Sequence, residues 1–143
     1  QKSSSKIEDM AEMTTYGRVS RVENFVYRLV KGAGLSPNVF VSTLPVTIKS
    51  EWSDMVLIDV GKGDNLNAYR RFSVNVYLYA KGKGDLQTKN VNVIDAMEEK
   101  LLQAVSDSKD NNYTPTVNWS DSDYDSTRNL HFNVVNLTVK VHD

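Results

Sequence analysis

Three carboxylates and two histidines are the side chains whose types and spacing come closest to those of a metal site. Asp121, Asp123 and Asp125 repeat the first three acidic positions of a calcium-binding loop. The glycine and the closing bidentate acid of such a loop do not follow, so we expect a solvated hairpin tip. His131 and His142 are eleven residues apart, which puts them on opposite faces of a regular strand. The sequence therefore predicts no metal site.

Two short glycine pairs and many serines raise the question of phosphate binding and nucleophilic catalysis. The pairs at 61 and 63 and at 82 and 84 are too short for a dinucleotide fingerprint, and neither opens a helix directly after a strand. The chain has no G-x-x-x-x-G-K loop, no G-x-S-x-G turn and no cysteine. Paired carboxylates can still meet in space, but no pattern points to them. We therefore expect neither a cofactor nor enzyme activity.

Basic and aromatic residues are interleaved around residues 71–80. Such a mixture can hold a single strand of nucleic acid. The members are Tyr69, Arg70, Arg71, Tyr77, Tyr79, Lys81, Lys83 and Lys89. The formal net charge is only -1, and the aromatic motif of RNA-recognition domains is missing. No apolar run approaches the length of a membrane-spanning helix. Neither a free nucleic-acid-binding domain nor a membrane protein is expected.

Apolar periodicity predicts two helices. The first starts at Ser20, where Ser20 and Glu23 form the S-x-x-E pattern of a capping box, and Gly32 and Gly34 end it. The second covers residues 90–105. The apolar stripes are Val22, Phe25, Val26, Leu29 and Val30 in the first helix and Val93, Met97, Leu101 and Val105 in the second.

Alternating and β-branched segments predict the strands. They are residues 38–43, 55–60, 71–80, 113–119 and 130–141, with a glycine-containing loop at 61–65 and an acidic turn at 121–125. The second and third are expected to pair in antiparallel fashion. The predicted fold class is α+β, an antiparallel or mixed sheet of about five strands with two helices packed on one face, in the order α-β-β-β-α-β-β. Residues 1–17 are expected to form a flexible N-terminal arm and residues 18–143 a single domain.

Two strands carry large or apolar side chains on the face of the sheet opposite the predicted helices. In residues 130–141 the apolar set changes face between Val134 and Val135. This change requires either a bulge or a strand that buries opposite faces along its length, and the second option needs a partner surface outside the domain core. Tyr77 and Tyr79 lie on the face opposite the apolar residues of their strand. They suit either a protein interface or packing under a loop or against the arm.

In the order and spacing of these elements the chain resembles the tail-terminator (tail-completion) family of long-tailed phages, which includes minor tail proteins of prophages. The resemblance covers nearly the whole chain after Arg18. The polar arm and the change of face in the last strand depart from the family pattern. The parts that carry the resemblance are an opening helix at 22–31, a strand and proline loop at 38–45, a hairpin of 55–60 with 71–80, a Gly-rich link at 81–85, a helix at 90–105 and a final pair of 113–119 with 130–141.

The resemblance implies a virion structural protein of the phage tail or neck, made in the bacterial cytoplasm and without catalytic residues. Family members assemble as rings, often hexamers, that cap the tail tube and join it to the head. The implied partners are further copies of the chain, tail-tube proteins and head-connector proteins, with non-specific DNA contact in a channel. A ring needs two different patches on each subunit. The candidate interface residues are Ile7, Met10, Met13, Arg71, Tyr77, Tyr79, Leu137 and Val139.

A second interpretation stays open at this point, which is a secreted or cell-surface bacterial binding domain without catalytic activity. The start at Gln1, the lack of cysteine and three Asn-x-Ser/Thr triplets are compatible with it. The triplets begin at Asn112, Asn118 and Asn136. Oligomeric state separates the two interpretations, because a ring component self-associates.

Overall fold

Two helices and five strands follow one another in the predicted order, α-β-β-β-α-β-β. The computed structural model describes residues 16–66, 69–82 and 88–142. Most of the predicted arm, residues 1–17, therefore lies outside the described residues. The helices are α1 (Val19–Ala33) and α2 (Val91–Asp107), and the strands are β1 (Val39–Val41), β2 (Asp54–Asn65), β3 (Arg70–Lys81), β4 (Tyr113–Asp125) and β5 (Leu130–Val141).

The strands form one mixed sheet in the order β1-β2-β3-β5-β4. β1 runs parallel to β2, while β2–β3, β3–β5 and β4–β5 are antiparallel pairs. Both helices pack their apolar sides into the same core cluster as one face of this sheet. The α+β class, with its mixed sheet and two packed helices, is confirmed.

Most residues of the predicted apolar stripes are buried, but Leu29 and Val93 are only partly buried, and Ile94, which the predicted stripe of α2 does not include, is fully buried. Helix α1 ends at Gly34, whose φ of 69° lies in the left-handed region and whose N–H bonds to the carbonyl of Lys31. A glycine adopts this conformation without a side-chain penalty, which explains why the helix stops there. The buried residues are Val22, Phe25, Val26 and Val30 in α1 and Ile94, Met97, Leu101 and Val105 in α2.

The predicted capping box of α1 is wrong. The helix begins at Val19 with Arg18 in the N-cap position, and no side chain caps it. Ser20 therefore already lies inside the helix. Glu23 instead accepts a hydrogen bond from the Ser42 hydroxyl at 3.2 Å. A contact with the loop after β1 has replaced the local capping contact.

Two strands are longer than the sequence predicts. β2 continues through the glycines predicted as a turn, with a register shift between Val60 and Gly63. β4 includes the acidic residues 121–125, so the turn to β5 lies at 126–129. In both strands, backbone pairing with a long neighbour outweighs the local turn preference of Gly and Asp, because a paired backbone keeps its hydrogen bonds.

The helices cover the face of the sheet to which every second residue of β3 points. These side chains are fully buried, and each large one contributes about 1.5–3 kcal/mol relative to exposure. Residues directly opposite on β5 complete the layer. The central members are Phe72, Val74, Val76, Leu78 and Ala80 of β3 and Val135, Leu137 and Val139 of β5.

The other face carries a second, smaller core at one end of the sheet. Leu44, Met55, Tyr79 and Leu130 are buried in it. Leu44 comes from the segment between β1 and β2, residues 42–53, which lies over this end of the sheet. The partly buried side chains packed around the second core are Phe40, Ile48, Trp52, Leu57, Tyr77 and Phe132.

The second core explains the change of face in β5. β5 pairs with β3 along its whole length without a register shift, so β5 has no bulge there. It buries Leu130 and Phe132 on one face and Val135 on the other. The expected need for a surface outside the domain is wrong, because the chain's own segment 42–53 covers the second face at this end.

Replacing Gly63 with Ala tests the packing at the register shift of β2. A Cβ atom at Gly63 would lie 2.5 Å from Cε2 of Phe72, whose fully buried ring has no room to move away. We expect Gly63→Ala to lower the free energy of unfolding by about 1–3 kcal/mol in urea denaturation. Gly32→Ala is the matched control, since nothing lies within 4 Å of its Cβ position in α1. That change should stabilise the protein by roughly 0.5–1 kcal/mol, and equal effects of the two substitutions would contradict this account.

Candidate interaction surface

The end of the second face beyond residues 42–53 carries a row of hydrogen-bonded polar side chains. Asn136 donates from Nδ2 to Oδ1 of Asn75 at 2.8 Å and to the Ser73 hydroxyl at 3.1 Å. Asn118 donates from Nδ2 to Oδ1 of Asn136 at 2.8 Å and to the Thr138 hydroxyl at 2.7 Å. The network runs across three strands, β3, β5 and β4, and holds these side chains in fixed positions.

Trp119 extends this row on β4. It lies opposite Asn136 in the β4–β5 pair, directly after a register shift between Val117 and Trp119. The side chain is 50% exposed. A bulge bends a strand and redirects the side chains that follow it. The result is a large amphipathic ring held at the margin of a polar surface, an arrangement that is enriched in protein interfaces.

Charged residues border the polar row at the outer end of the sheet. Arg71 lies beside Ser73 on the same face and forms an ion pair with Asp64 at 3.6 Å. Lys140, opposite Arg71 on β5, places its Nζ 5.1 Å from the ring centroid of Tyr69. Exposed pairs of this kind contribute about 0–1 kcal/mol, so they orient side chains more than they stabilise the fold. We call the whole surface the open face; it consists of Arg71, Ser73, Asn75, Asn118, Trp119, Asn136 and Thr138.

The structure separates the predicted interface residues of β3. Arg71 is exposed and lies on the open face. Tyr79 is only 6% exposed and belongs to the second core. Tyr77 is half-buried, and its ring centroid lies 5.6 Å from that of Phe132. Of the two options for the tyrosines, the structure therefore supports packing under a loop.

The other predicted interface residues are placed elsewhere. Leu137 and Val139 are 0% exposed in the core beneath the helices. In this conformation they offer no side-chain surface to a partner. Ile7, Met10 and Met13 lie outside the described residues.

Sequence reasoning missed most of the open face. Alternation in β3 does put Asn75 on the face away from the helices, as predicted for its neighbours. The side to which Asn118 and Trp119 point depends on the register shift in β4, and no apolar period marks that shift. Asn136 was singled out only as a glycosylation-type triplet. It is 7% exposed, because its amide is enclosed by its hydrogen-bond partners.

The acidic triplet and the histidines do not converge. Asp125 pairs with Arg128 at 3.1 Å, and the ring of His131 packs against Tyr124 with centroids 4.6 Å apart. His142 lies at the opposite end of β5, where its N–H donates to a backbone carbonyl. Within residues 16–66, 69–82 and 88–142, no group of three or more His, Asp or Glu side chains is arranged to hold a metal ion. None of the helices in those ranges combines the length and apolarity needed to cross a bilayer.

Two of the shallow grooves in the described part of the helix layer lie beside α2. One, of about 520 Å³, lies between the C-terminal end of α2 and the start of β4 and includes Leu102 and Asp110. The Asp110 carboxylate accepts backbone N–H groups of Asn112 at 2.8 Å and Tyr113 at 3.1 Å, so it fixes the turn before β4. The other groove, of about 490 Å³, lies between α1 and α2. Both are open depressions of the surface.

In the second core, the fold changes the ionisation of Tyr79. Burial, and then the carboxylate of Asp125 and the neighbouring Tyr77, raise the pKa of Tyr79 from 10.0 to about 12. Arg128 acts in the opposite direction. The folded state therefore holds the phenolic proton more tightly than the unfolded chain does.

The raised pKa of Tyr79 predicts a loss of stability in alkali. The contribution is fully present below about pH 10 and is lost as the pH rises toward about 12, because deprotonation then favours the unfolded chain. Urea unfolding of the wild type and of Tyr79→Phe, measured across this window, provides the comparison. We expect the wild type to lose stability more steeply than the variant. Parallel curves for the two proteins would show that Tyr79 does not carry the effect.

The chain has likenesses among solved structures but not among protein families or curated proteins. No protein-family model and no curated protein matches this sequence. Among solved structures, the chain is similar to a chain of the virion of a native gene transfer agent particle, with 12% identity and a TM-score of 0.49. The match covers 82% of this chain and 92% of that chain. A similarity of this degree does not identify a function.

Proposed function

We propose that this protein is a virion structural protein that works by self-association and by contact with neighbouring virion proteins, without catalysis. The open face is the single observation that carries the proposal. Its side chains are already fixed by mutual hydrogen bonds, so little conformational entropy remains to be lost when a partner binds. Trp119 supplies a large half-exposed ring at its margin.

The form of assembly we propose is a ring at the end of a phage tail, as a tail-terminator or neck component between tail tube and head. The proposal is supported by the order and spacing of elements, in which the chain resembles that family. The open face and the exposed helix surfaces lie on opposite sides of the sheet. A subunit of this shape can meet other copies on one side and a different virion protein on the other. Arg71 and Lys140 lie at the outer end of the sheet, where they are suited to contact a partner or DNA in the channel.

Trp119 provides the test of this proposal. The chain has two tryptophans, and in the variant Trp52→Phe the tryptophan fluorescence comes from Trp119 alone. We expect light scattering to show a ring-sized oligomer as concentration increases, or on addition of tail-tube protein. The Trp119 emission should shift to the blue when tail-tube protein is added, because the indole ring then leaves water. Trp119→Ser should weaken the binding of tail-tube protein while leaving the urea midpoint nearly unchanged.

The matched control for this experiment is Val46→Ser. Val46 is fully exposed on the segment 42–53 and lies outside the open face, so its replacement should leave assembly intact. A protein that remains a monomer at every concentration and also with tail-tube protein would contradict the proposal. Such a monomer with affinity for a cell-surface ligand would favour the secreted binding domain. Binding of tail-tube protein that is unchanged in Trp119→Ser would remove the open face from that interface.

A further inference from the structure

The outward surface of α1 is basic. Arg21, Arg28 and Lys31 are exposed and follow one another at intervals of seven and three residues, which places them in one row along the helix. Arg18, in the N-cap position, adds a fourth exposed cation at the start of the row. Glu23 is the only acid in α1, and it is half-buried against Ser42.

One side of α2 is acidic, and the exposed Lys100 of the same helix lies outside that side, with its Nζ 3.5 Å from the carbonyl oxygen of Gly34. Asp95 and Glu99 are exposed and four residues apart, so they lie one turn from each other on the same side of the helix. Val91 and Leu102 flank them in the same stripe and are 47% and 38% exposed. The stripe therefore has two carboxylates at its centre and an apolar side chain at each end. Glu98 is not part of it, since its carboxylate accepts a hydrogen bond from the Asn133 amide.

These charges have no opposite charge at ion-pair distance within the described part of the chain. The ion pairs there are Arg71–Asp64 and Arg128–Asp125, and both lie outside the helices. Two adjacent helices thus present opposite signs, and no ion pair with another described residue neutralises either of them. Segregation of this kind is the pattern by which protein surfaces select a partner and an orientation.

We infer that the basic row of α1 in one copy docks on the acidic stripe of α2 in the next copy. The inference rests on the self-association proposed above and specifies its interface. The two surfaces differ, so the contact is heterologous. A row of bound copies therefore has a free basic row at one end and a free acidic stripe at the other. Repetition of the same rotation continues until the first and last copies meet, which closes a ring.

The contact depends on charge for its direction and on apolar burial for part of its strength. Exposed ion pairs are individually weak and are screened by salt over about 8–10 Å at physiological ionic strength. Val91 and Leu102 lose their exposure to water when the stripe is covered, and this contribution does not fall with salt. Self-association should therefore weaken with added salt without vanishing.

Paired charge reversals test the interface. Arg21→Glu with Arg28→Glu makes both helices acidic, and Asp95→Lys with Glu99→Lys makes both basic. We expect each double variant alone to self-associate at least about tenfold more weakly than the wild type in sedimentation velocity at low salt. An equimolar mixture should recover assembly, because each altered helix then meets its complement on the other variant. The mixed assembly should contain the two variants in alternation.

Lys49→Glu with Lys62→Glu is the control for Arg21→Glu with Arg28→Glu, because both double substitutions change the net charge by the same amount. Both lysines are exposed and lie outside the helices, so assembly should persist. If each double variant alone self-associates as strongly as the wild type, the helix interface is wrong and the proposed virion role remains intact. Failure of the mixture to associate would also overturn the helix interface. A wild-type protein that is monomeric under all conditions would overturn both.

Discussion

The uninterrupted pairing of β3 with β5 is the constraint on which the rest of the structure depends. The two strands run antiparallel from Arg70 opposite Val141 to Lys81 opposite Leu130 without a register shift. Side chains along such a pair must alternate between faces. Since the apolar residues of β5 change face between Val134 and Val135, both faces of the sheet carry apolar side chains, and each face needs another segment packed over it. The helices provide one, and residues 42–53 provide the other over only part of the second face. The open face is the part of the second face that neither cover reaches among the described residues.

Much of the fold follows from local patterns, because burial and alternation are properties of short segments. β5 has its predicted bounds, and most residues of the two predicted helix stripes are buried. The errors occur where a distant partner decides. Gly61 and Gly63 have turn propensity, but β2 continues through both, and Gly63 pairs with Phe72 of β3. Ser20 and Glu23 fit a local cap, yet Glu23 bonds to Ser42. Sequence spacing does not contain these long-range choices.

The interaction surface was less predictable than the fold, and the reason is geometric. Alternation correctly sets Tyr77 and Tyr79 apart from the helix-side core of their strand. It does not reveal whether another segment of the chain covers that second face, and here residues 42–53 do so for Tyr79. Trp119 carries no signal in the sequence, because its direction follows from the register shift in β4. A residue is available to a partner only if no other segment of the chain packs over it. An alternating sequence pattern does not show whether such a segment exists.

The open face and the helix layer suit different contacts. The open face is polar, fixed by hydrogen bonds and bordered by Trp119, so a partner gains from shape and from burial of one aromatic ring. The helix layer presents opposite charges on adjacent helices, so it discriminates orientation. Because the sheet lies between them, an ion pair formed at α1 does not compete with binding at Asn136. In the proposed assembly, copy-to-copy contact and attachment to another virion protein can therefore be altered independently, each by substitutions on its own side of the sheet.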